Sequence, residues 1–562
     1  MSEHAHLKVV SSSEMEDSSW RSSSHEAVVG KDILELLSSS MYVDPMCVYR
    51  EYIQNAADSI DEARAAGLLT DGGGRISIQI DANLRTIRIR DDGASISWPE
   101  FVERLSNLGA SRKRGTPARG FRGVGRLSGL GYCQELIFRG RAGGEDLVSE
   151  LRWDGRTLKT MLRNAGHDKH LKALIRDVVA VRRVPATKDE PKRFFEVEMR
   201  GVIRHRDDRL LSDKAVADYL SQVAPIAFSP EFKYGSQIAS RLQSLVPLGD
   251  VAIHINAAET PLYRPHENVM KVDGHMEARF SELELLEITG IDGGISAVAW
   301  VLHHEYAGAL SSRTLVKGIR LRSGNVQIGD NNLLEGLFSE PRFNSWSVGE
   351  IHVVDPKVLV NGRRDNFEQS VHLDNVINQI GPIAREITRR CRQNSISRKW
   401  AREFEIHRDA ALERAKTVSR GGITRSSRRA NADAALKSLK AMRKVLGTRN
   451  LSDEVKAGLS QKADAAEQKV KQLLGENATE SDPLAGFSGT YKMAYQNIIS
   501  LIYECSNSRA VAGILVERIL GRLTKDNPGG ESQASKKKKR SKPVRTSERR
   551  RGRKASARIR AS

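Results

Sequence analysis

Alternating and helical hydrophobic patterns divide the first part of the chain into helices and strands. Helical spacing covers residues 33–37 and 45–66, and strand-like runs then follow in RISIQI, TIRIR, QELIFRG, DLVSELRW, DVVAVRRV and FFEVEMRGV. The short DANLR segment between the first two runs predicts a β-hairpin. Because helices beside a largely antiparallel sheet form an α/β sandwich, we expect that fold over residues 28–210.

The pattern changes twice more toward the C-terminus. Strand-like runs in VAIHI, ISAVAWVL, TLVKGIRLR and EIHVVD predict a second α/β unit over residues 211–370. Residues 371–525 then show helical spacing, in which apolar positions recur every three or four residues. The last helical stretch, from Tyr491 to Leu523, is apolar enough to suggest a self-association surface. The predicted fold class is therefore α+β, with a helical, dimerising C-terminal region.

The two ends of the chain lack this periodicity. Residues 1–27 are polar and rich in serine, and residues 526–562 are basic, so we expect both segments to be disordered. The net charge of the chain is +20, and residues 532–562 alone hold fourteen Lys or Arg against one Glu. Such a tail either serves as a solubilising end or binds nucleic-acid phosphates without sequence specificity. It has no aromatic side chains on which bases could stack.

Composition narrows the cellular setting. The sequence has no apolar run of membrane-spanning length and no secretory signal at its start, so we expect no membrane contact. The four cysteines, Cys47, Cys133, Cys391 and Cys505, lie far apart without a CxxC pair. This spacing argues against zinc and disulfides, and it favours a reducing, cytoplasmic location.

The helix over 45–66 carries the first candidate site. Glu51, Asn55 and Asp58 are spaced four and three residues apart, so they share one helical face. This face is either a solvated surface or a rigid support beside a phosphate chain. In the second case the Asn carbonyl suits Mg²⁺ and the Glu suits a water that attacks a phosphate.

Two glycine-containing segments follow. Asp91 ends a predicted strand, where its carboxylate can accept a hydrogen bond from an exocyclic amine, and Gly93 lets the backbone approach a flat base. Taken alone, this segment is also a common turn. Gly120, Gly123 and Gly125 precede an apolar helical stretch, an arrangement that is typical either of an anion site or of a flexible loop. The chain has no GxxxxGK[ST] motif, which excludes a P-loop.

The order of these motifs resembles the ATP-binding domain of the gyrase, heat-shock chaperone, histidine kinase and MutL (GHKL) superfamily. Within that superfamily it is most similar to the ninety-kilodalton heat-shock chaperone family. The resemblance covers about residues 28–140 and rests on four blocks, which are KDILELLSSSMY, REYIQNAADSIDEA, NLGASRKRGT and GFRGVG.

The resemblance implies specific roles. Glu51 would be the general base and Asn55 the Mg²⁺ ligand, while Asp91 would bind the adenine amine beside Gly93. The other implied ATP-binding residues are Asp58 near the base, Asn107 near the sugar, Lys113 near the terminal phosphates, and Gly120, Gly123 and Gly125 around the phosphates. Two positions depart from the family pattern. Ser95 replaces a usual glycine, and Lys192-Arg193 stand where a threonine is usual.

The segment VLVNGRRDNFEQ resembles the family's loop that carries an arginine to the terminal phosphate. Arg364 is the better placed candidate for this role and Arg363 is the second, although the pair could equally be surface arginines. The leading hypothesis is an ATP-hydrolysing, Mg²⁺-dependent chaperone, a homodimeric clamp that acts on protein clients. The alternative is a DNA-associated clamp ATPase like the MutL or MORC relatives, with non-specific nucleic-acid contact through the basic tail.

Overall fold

The computed structural model divides the chain into two compact units, residues 1–394 and 395–562. The predicted α+β class is confirmed, because two mixed sheets lie in the first unit and long helices make up the second. The domain limits expected from the sequence stay predictions. The structure describes residues 44–107, 119, 125–163, 171–205, 207–246, 248–272, 276–449, 451, 453–475 and 482–525. The segments 1–27 and 526–562, for which disorder is predicted, lie outside these residues.

A seven-stranded sheet forms the first layer of the first unit. Its strands are β1 (Arg75–Asp81), β2 (Thr86–Asp91), β3 (Glu135–Arg141), β4 (Leu147–Asp154), β5 (Val179–Pro185), β6 (Phe194–Arg200) and β7 (Ala252–Ile255). Their order in the sheet is β5-β4-β3-β6-β2-β1-β7. All neighbours are antiparallel except β1 and β7, and the predicted hairpin of β1 and β2 is confirmed.

The strand β7 corrects one expectation from the sequence. VAIHI is a strand, as predicted, but it pairs in parallel with β1 rather than joining the second sheet. Arg75 lies opposite Ala252, and Ile78 lies opposite Ile255. A four-residue apolar run contains no information about its partner, because strand pairing is decided by contacts that are distant in sequence.

The helix α1 (Cys47–Ala65) packs its apolar side on this sheet. It begins at Cys47, two residues later than expected, because Asp44 and Pro45 form a preceding turn in which Asp44 Oδ1 accepts a hydrogen bond from Met46 N. The buried side chains of α1 include Tyr52 and Ile60. The other helices of this unit that precede its last strand are α2 (Trp98–Ser106), α3 (Gly155–Arg163), α4 (Leu171–Val178), α5 (Asp213–Val223) and α6 (Gly235–Gln243).

The opposite face of the sheet carries paired arginines and glutamates. Arg88 Nε lies 2.8 Å from Glu198 Oε1, and Arg90 Nη2 lies 2.7 Å from Glu196 Oε2. A cleft on this face is lined mainly by arginines and by strand residues of β1, β2 and β6. Asp91 lines this cleft, whereas Glu51, Asn55 and Asp58 do not.

A five-stranded sheet forms the core of the rest of the first unit. A two-stranded sheet of β8 (Val269–Val272) and β9 (Met276–Arg279) precedes it. Its own strands, in the order β10-β11-β14-β12-β13, are β10 (Glu282–Thr289), β11 (Ile295–His303), β12 (Gly318–Ser323), β13 (Val326–Ile328) and β14 (Val348–Val353). The predicted strands ISAVAWVL, TLVKGIRLR and EIHVVD correspond to β11, β12 and β14.

A buried ionic cluster joins this sheet to the end of α5. Glu350 on β14 receives Arg264 Nη1 and Arg322 Nε, each at 2.6 Å, and all three side chains are at most 2% exposed. The same arginines also donate to backbone carbonyls, with Arg322 Nη2 2.6 Å from Gln222 O and Arg264 Nε 2.8 Å from Ile226 O. The cluster therefore holds the chain that leaves α5 against the second sheet.

The helices of the second unit follow from α7 (Val371–Arg420), whose second half lies beyond residue 394. They are α8 (Arg425–Leu446), α9 (Asp453–Gly475), α10 (Gly489–Cys505) and α11 (Arg509–Lys525). The last two were expected as one stretch, but Ser506 to Ser508 separate them. Of the helices in the described residues, none combines the length and the apolar character that a membrane span requires.

Candidate nucleotide-binding site

The first predicted motif lies on α1, and its side chains differ in burial. Glu51 is 2% exposed and Asp58 is 7% exposed, whereas Asn55 is half-buried. The helix continues through all three residues without interruption, so their spacing places them on one face. A carboxylate as deeply buried as that of Glu51 needs compensating positive charge.

Arg364 supplies that charge from the segment after β14. Its Nε lies 2.9 Å from Glu51 Oε1, and Arg50 Nε lies 3.8 Å from the same oxygen. Arg50 also donates to the carbonyls of Arg363 and Arg364, at 3.0 and 3.4 Å. The structure thus brings together the two residues that the sequence singled out as catalytic, although they are more than three hundred positions apart.

The backbone of Arg364 adopts an uncommon conformation. Its φ is +57°, in the left-handed region that a residue with a side chain seldom occupies. The contacts of Arg50 with the two carbonyls hold the loop in this state. Strain of this kind is of order 1–3 kcal/mol and tends to occur where a side chain must be aimed at a site.

The segment after β2 lies directly against α1. Asp91 is the last residue of β2, is 4% exposed, and accepts a hydrogen bond from Gly93 N at 3.0 Å. A Cβ at Gly93 would overlap Ser59 Oγ and lie 2.6 Å from the carbonyl carbon of Ser59. Because that carbon belongs to a helix backbone, which cannot move aside cheaply, only glycine fits here.

The structure accommodates both departures from the family pattern. Ser95 adopts a φ of +62°, the conformation that the usual glycine would favour, and its Oγ donates to Phe194 O at 2.8 Å. Arg193, of the Lys192-Arg193 pair that stands where a threonine is usual, donates from Nη2 to Asp92 O at 3.1 Å and to Leu68 O at 3.3 Å. Ser95 and Arg193 thus both bind backbone carbonyls close to Asp91.

The end of the glycine-rich segment is also fixed to α1. A Cβ at Gly125 would overlap Glu51 Oε2, so the backbone approaches the carboxylate closely. Gly125 begins a 3-10 helix, Gly125–Gly131, in which Gly129 N donates to Tyr52 Oη at 3.0 Å. Asn107 follows the last residue of α2, and its carbonyl accepts a hydrogen bond from Arg126. Lys113, Gly120 and Gly123 lie outside the described residues.

Arg119 is a connection that the sequence did not reveal. Its backbone N donates to Asp58 Oδ1 at 3.0 Å, and its side chain donates to Asp61 Oδ2 at 2.6 Å and to Gly324 O at 2.8 Å. Arg364 Nη1 donates to the carbonyl of Arg119 at 3.0 Å. Asp58 is thereby tied to the start of the glycine-rich segment. Only its position beside the first glycine could have indicated Arg119.

Two further buried side chains bear on whether a nucleotide fits. The guanidinium of Arg126 is largely removed from water, which lowers its pKa to about 10, and its Nε has no hydrogen-bond partner among the described residues. Both amide atoms of Gln54, which is 1% exposed, also lack partners within that part of the chain. A buried donor without an acceptor is costly, so an anionic ligand would satisfy Arg126. The residues present therefore fit a phosphate-bearing ligand.

The chemistry of the donors limits how a metal could bind. Within the described ranges, no group of three or more His, Cys, Asp or Glu side chains is arranged to hold a metal ion. A protein site for Mg²⁺ commonly offers only one or two ligands, and substrate phosphates and water complete the coordination. The carbonyl of Asn55 fits such a minimal contribution.

Comparison with known proteins gives short similarities to one kind of chaperone. The chain is 40% identical over 92 residues to chaperone protein HtpG of Legionella pneumophila (strain Lens), a match that covers 15% of this chain and 14% of the relative. It is 34% identical over 87 residues to chaperone protein HtpG of Frankia casuarinae, covering 14% and 13%. It is 28% identical over 142 residues to chaperone protein HtpG of Escherichia coli O1:K1, covering 22% and 23%.

These matches span less than a quarter of the relatives' length, and no family model matches the chain. The chain is therefore similar, over a limited segment, to chaperone protein HtpG.

Proposed function

We propose that the chain binds ATP with Mg²⁺ at the site on α1 and hydrolyses it to ADP and phosphate. The observation that carries this proposal is the contact between Glu51 and Arg364, at 2.9 Å, beside the backbone of Gly125. A buried carboxylate, a cation that can stabilise the charge of the transferred group and a close-packed glycine backbone are suited to phosphoryl transfer to water. The similarity to chaperone protein HtpG supports the same function.

The base of ATP would bind at the Asp91 end of β2. The Asp91 carboxylate accepts the hydrogen bond of the adenine amine, and Gly93 leaves room for the ring. The contact of Gly93 with Ser59 supports this role, because it fixes the turn that shapes the pocket. Asp58 is held by Arg119 and stabilises the neighbouring part of α1.

The phosphates would lie along the glycine-rich segment. Backbone N–H groups of Gly120, Gly123 and Gly125 bind their oxygens, with Lys113 and Asn107 as further contacts, and Arg126 adds a charged donor. Asn55 would hold Mg²⁺, which when bound would neutralise phosphate charge. The unpartnered Nε of Arg126 is the support for its phosphate contact.

The Glu51–Arg364 ion pair implies an order of events. Oε1 of Glu51 cannot position an attacking water while it is paired with the guanidinium of Arg364. ATP attracts Arg364 toward the terminal phosphate, where it stabilises the charge that develops on transfer. That movement leaves Glu51 available as the general base. Hydrolysis thus depends on the loop that contains Arg364.

The test is the ATPase activity of three variants, each with its ATP affinity measured by calorimetry. Glu51→Ala should retain ATP binding and lose about 10²–10⁴-fold in turnover. Arg364→Ala should also lose turnover, whereas Arg363→Ala, whose side chain is exposed, serves as the matched control and should retain it. Unchanged turnover in Glu51→Ala would contradict the proposed chemistry. Loss of binding as well would indicate a structural role for this side chain.

The biological role that fits this chemistry is a cytoplasmic, homodimeric clamp for protein clients. Exposed large apolar side chains on the last two helices support self-association. They are Tyr491, Met493, Ile498 and Leu501 on α10, and Val511, Ile514 and Leu515 on α11. Sedimentation analysis of the full chain should give a dimer, and Leu501→Glu with Ile514→Glu should shift it to a monomer. A wild-type chain that sediments as a monomer would contradict this part of the proposal.

A second candidate function is a DNA-associated clamp ATPase, which the basic tail favours. The two functions differ in what stimulates hydrolysis. A chaperone-type enzyme should respond to unfolded protein and leave its basal rate nearly unchanged when residues 532–562 are deleted. Strong stimulation by duplex DNA that disappears with the deletion would favour the DNA clamp instead.

A further inference from the structure

Positive charge is distributed very unevenly between the two units. Residues 1–394 hold 52 Lys or Arg against 53 Asp or Glu, so their net charge is close to zero. Residues 395–525, the helical part of the second unit, hold 24 against 14. The basicity of the chain therefore includes a folded region as well as the tail.

One face of α8 concentrates this charge. Arg425, Arg429, Lys437, Lys440 and Lys444, which we call the α8 basic stripe, are all exposed. They follow one another at intervals of three, four or eight residues, so they lie on the same side of the helix. Nineteen residues separate the first from the last, which corresponds to a length of about 28 Å. Asp433 is the single acidic side chain within the stripe.

Several exposed basic residues of this unit, those of the stripe among them, form no ion pair with another described residue. No ion pair or side-chain hydrogen bond joins any of its five residues to another described residue. Elsewhere Lys462 Nζ lies 2.9 Å from Glu405, and Arg443 Nε lies 2.6 Å from Glu467. A solvated helix face usually mixes both signs of charge, whereas this face holds five cations against Asp433 alone.

The last helix of this unit approaches the turn that precedes α8. Leu520 on α11 approaches the turn before α8, where a Cβ at Gly422 would lie 3.8 Å from Leu520 Cδ1. Only five residues separate Leu520 from the end of α11 at Lys525. The C-terminal part of α11 therefore lies near the N-terminal end of α8.

We propose that the α8 basic stripe binds the phosphate backbone of a nucleic-acid duplex. The length of the stripe, about 28 Å, approaches one duplex turn of about 34–36 Å. Cations without partners are suited to displace counterions from phosphates. This binding does not depend on the proposed ATP chemistry, because it involves different residues in a different unit.

The side chains present favour this partner over two others. Neither α8 nor residues 526–562 contain an aromatic residue, so the bases of a single strand would have no stacking surface. A helix that lies on a membrane buries an apolar face beside its basic one. The stripe instead has one exposed large apolar neighbour, Leu436. Both features point to contact with the backbone and predict binding that is independent of sequence.

The test is binding of the full chain to a fluorescent duplex over a series of salt concentrations. In one variant Arg429, Lys437, Lys440 and Lys444 are all replaced by Gln, which retains helix propensity. Each lost phosphate contact should reduce the slope of log K against log salt by about 0.9, so the slope should fall by about three to four. The affinity at moderate salt should fall by about ten-fold or more.

A matched control removes the same charge from the same unit. Lys456, Lys462, Lys469 and Lys471 on α9 are replaced by Gln, and duplex binding should change little. Circular dichroism should show equal helix content in both variants. Deletion of residues 532–562 should lower the slope and leave the part that the stripe supplies.

The outcomes that would overturn the proposal are distinct. Equal losses in the α8 and α9 variants would show that net charge alone is responsible. Binding to phosphatidylserine vesicles or to polyglutamate that depends on the stripe, without duplex binding, would assign the surface to a membrane or to an acidic protein. Absence of duplex binding by the full chain would refute it outright.

Discussion

The buried cluster around Glu350 allows a stability prediction with an internal control. Replacing Glu350 by Gln keeps the shape of the side chain and removes its charge. Arg264 and Arg322, both at most 2% exposed, would then remain in the interior without a counterion. Burial opposes ionisation of Glu350, but the two arginines outweigh it and hold its pKa well below the usual range. The carboxylate is therefore charged in the folded protein.

The size of the effect follows from this burial. Removing one partner of a buried ion pair typically costs about 3–5 kcal/mol. That is a large share of a total stability of about 5–15 kcal/mol. Glu198 provides the comparison, because it also pairs with two arginines, Arg88 and Arg200, each at 2.8 Å. Those arginines are 47% and 48% exposed, so water can solvate them once the charge is removed.

We therefore expect Glu350→Gln to lower the free energy of unfolding by several kcal/mol. Glu198→Gln should lower it by about 1 kcal/mol or less, as expected for pairs with exposed partners. Urea unfolding followed by far-ultraviolet circular dichroism measures both, with the midpoint and the slope fitted separately. Equal losses in the two variants would show that burial of the arginines does not set the cost, and the reasoning would fail.

Four further predictions concern the site, the acid stability and the tail. Asp91→Asn should weaken ATP binding by about five- to more than a hundred-fold, since about 1–3 kcal/mol is lost with the adenine hydrogen bond, and normal binding in calorimetry would place the base elsewhere. Arg126→Met should also weaken ATP binding. Its resistance to unfolding by urea should be unchanged or higher, because a buried guanidinium is removed. Unaltered ATP affinity would exclude a contact between Arg126 and phosphate. Burial lowers the pKa of His266 to about 3. In the unfolded chain this histidine has a pKa of about 6.5, so the unfolded chain takes up the proton first as the pH falls. The stability that is present above about pH 6.5 is therefore lost at lower pH. His266→Phe should remove about 2 kcal/mol of the loss between pH 7 and pH 5, and an identical loss in both proteins would contradict this assignment. Deletion of residues 532–562 should leave the thermal midpoint and the basal ATPase rate nearly unchanged, and a large fall in either would show that the tail supports the fold.

Local pattern was sufficient for most of the secondary structure. The strands RISIQI and TIRIR and the helix around Glu51 were predictable because their apolar positions repeat with the period of a strand or a helix. The split between α10 and α11 was not, since Ser506, Asn507 and Ser508 interrupt the helix over too few residues to disturb the apolar spacing. The pairing of strands within a sheet could not be predicted either, as the parallel pairing of β7 with β1 shows.

The residues of the candidate site also fall into those that the sequence indicates and those that it does not. Glu51, Asp91, Gly93 and Gly125 stand in motifs whose order can be read in the sequence, and the structure gathers all four along α1. Arg119 and Arg126 could not be selected, because arginine is common and only their three-dimensional contacts distinguish them from other arginines. The roles of all these residues stay predictions until the variants are measured.

The parallel pairing of β7 with β1 determines which fragments of the protein should fold without an exposed sheet edge. A fragment that stops near residue 210, where the pattern of the sequence suggests a limit, would omit β7 and leave β1 as a bare sheet edge. Unpaired edges recruit strands from other molecules, so this fragment should aggregate during purification. A fragment that continues past Ile255 keeps the edge covered. It should be the better starting point for crystallisation or nuclear magnetic resonance of the nucleotide site.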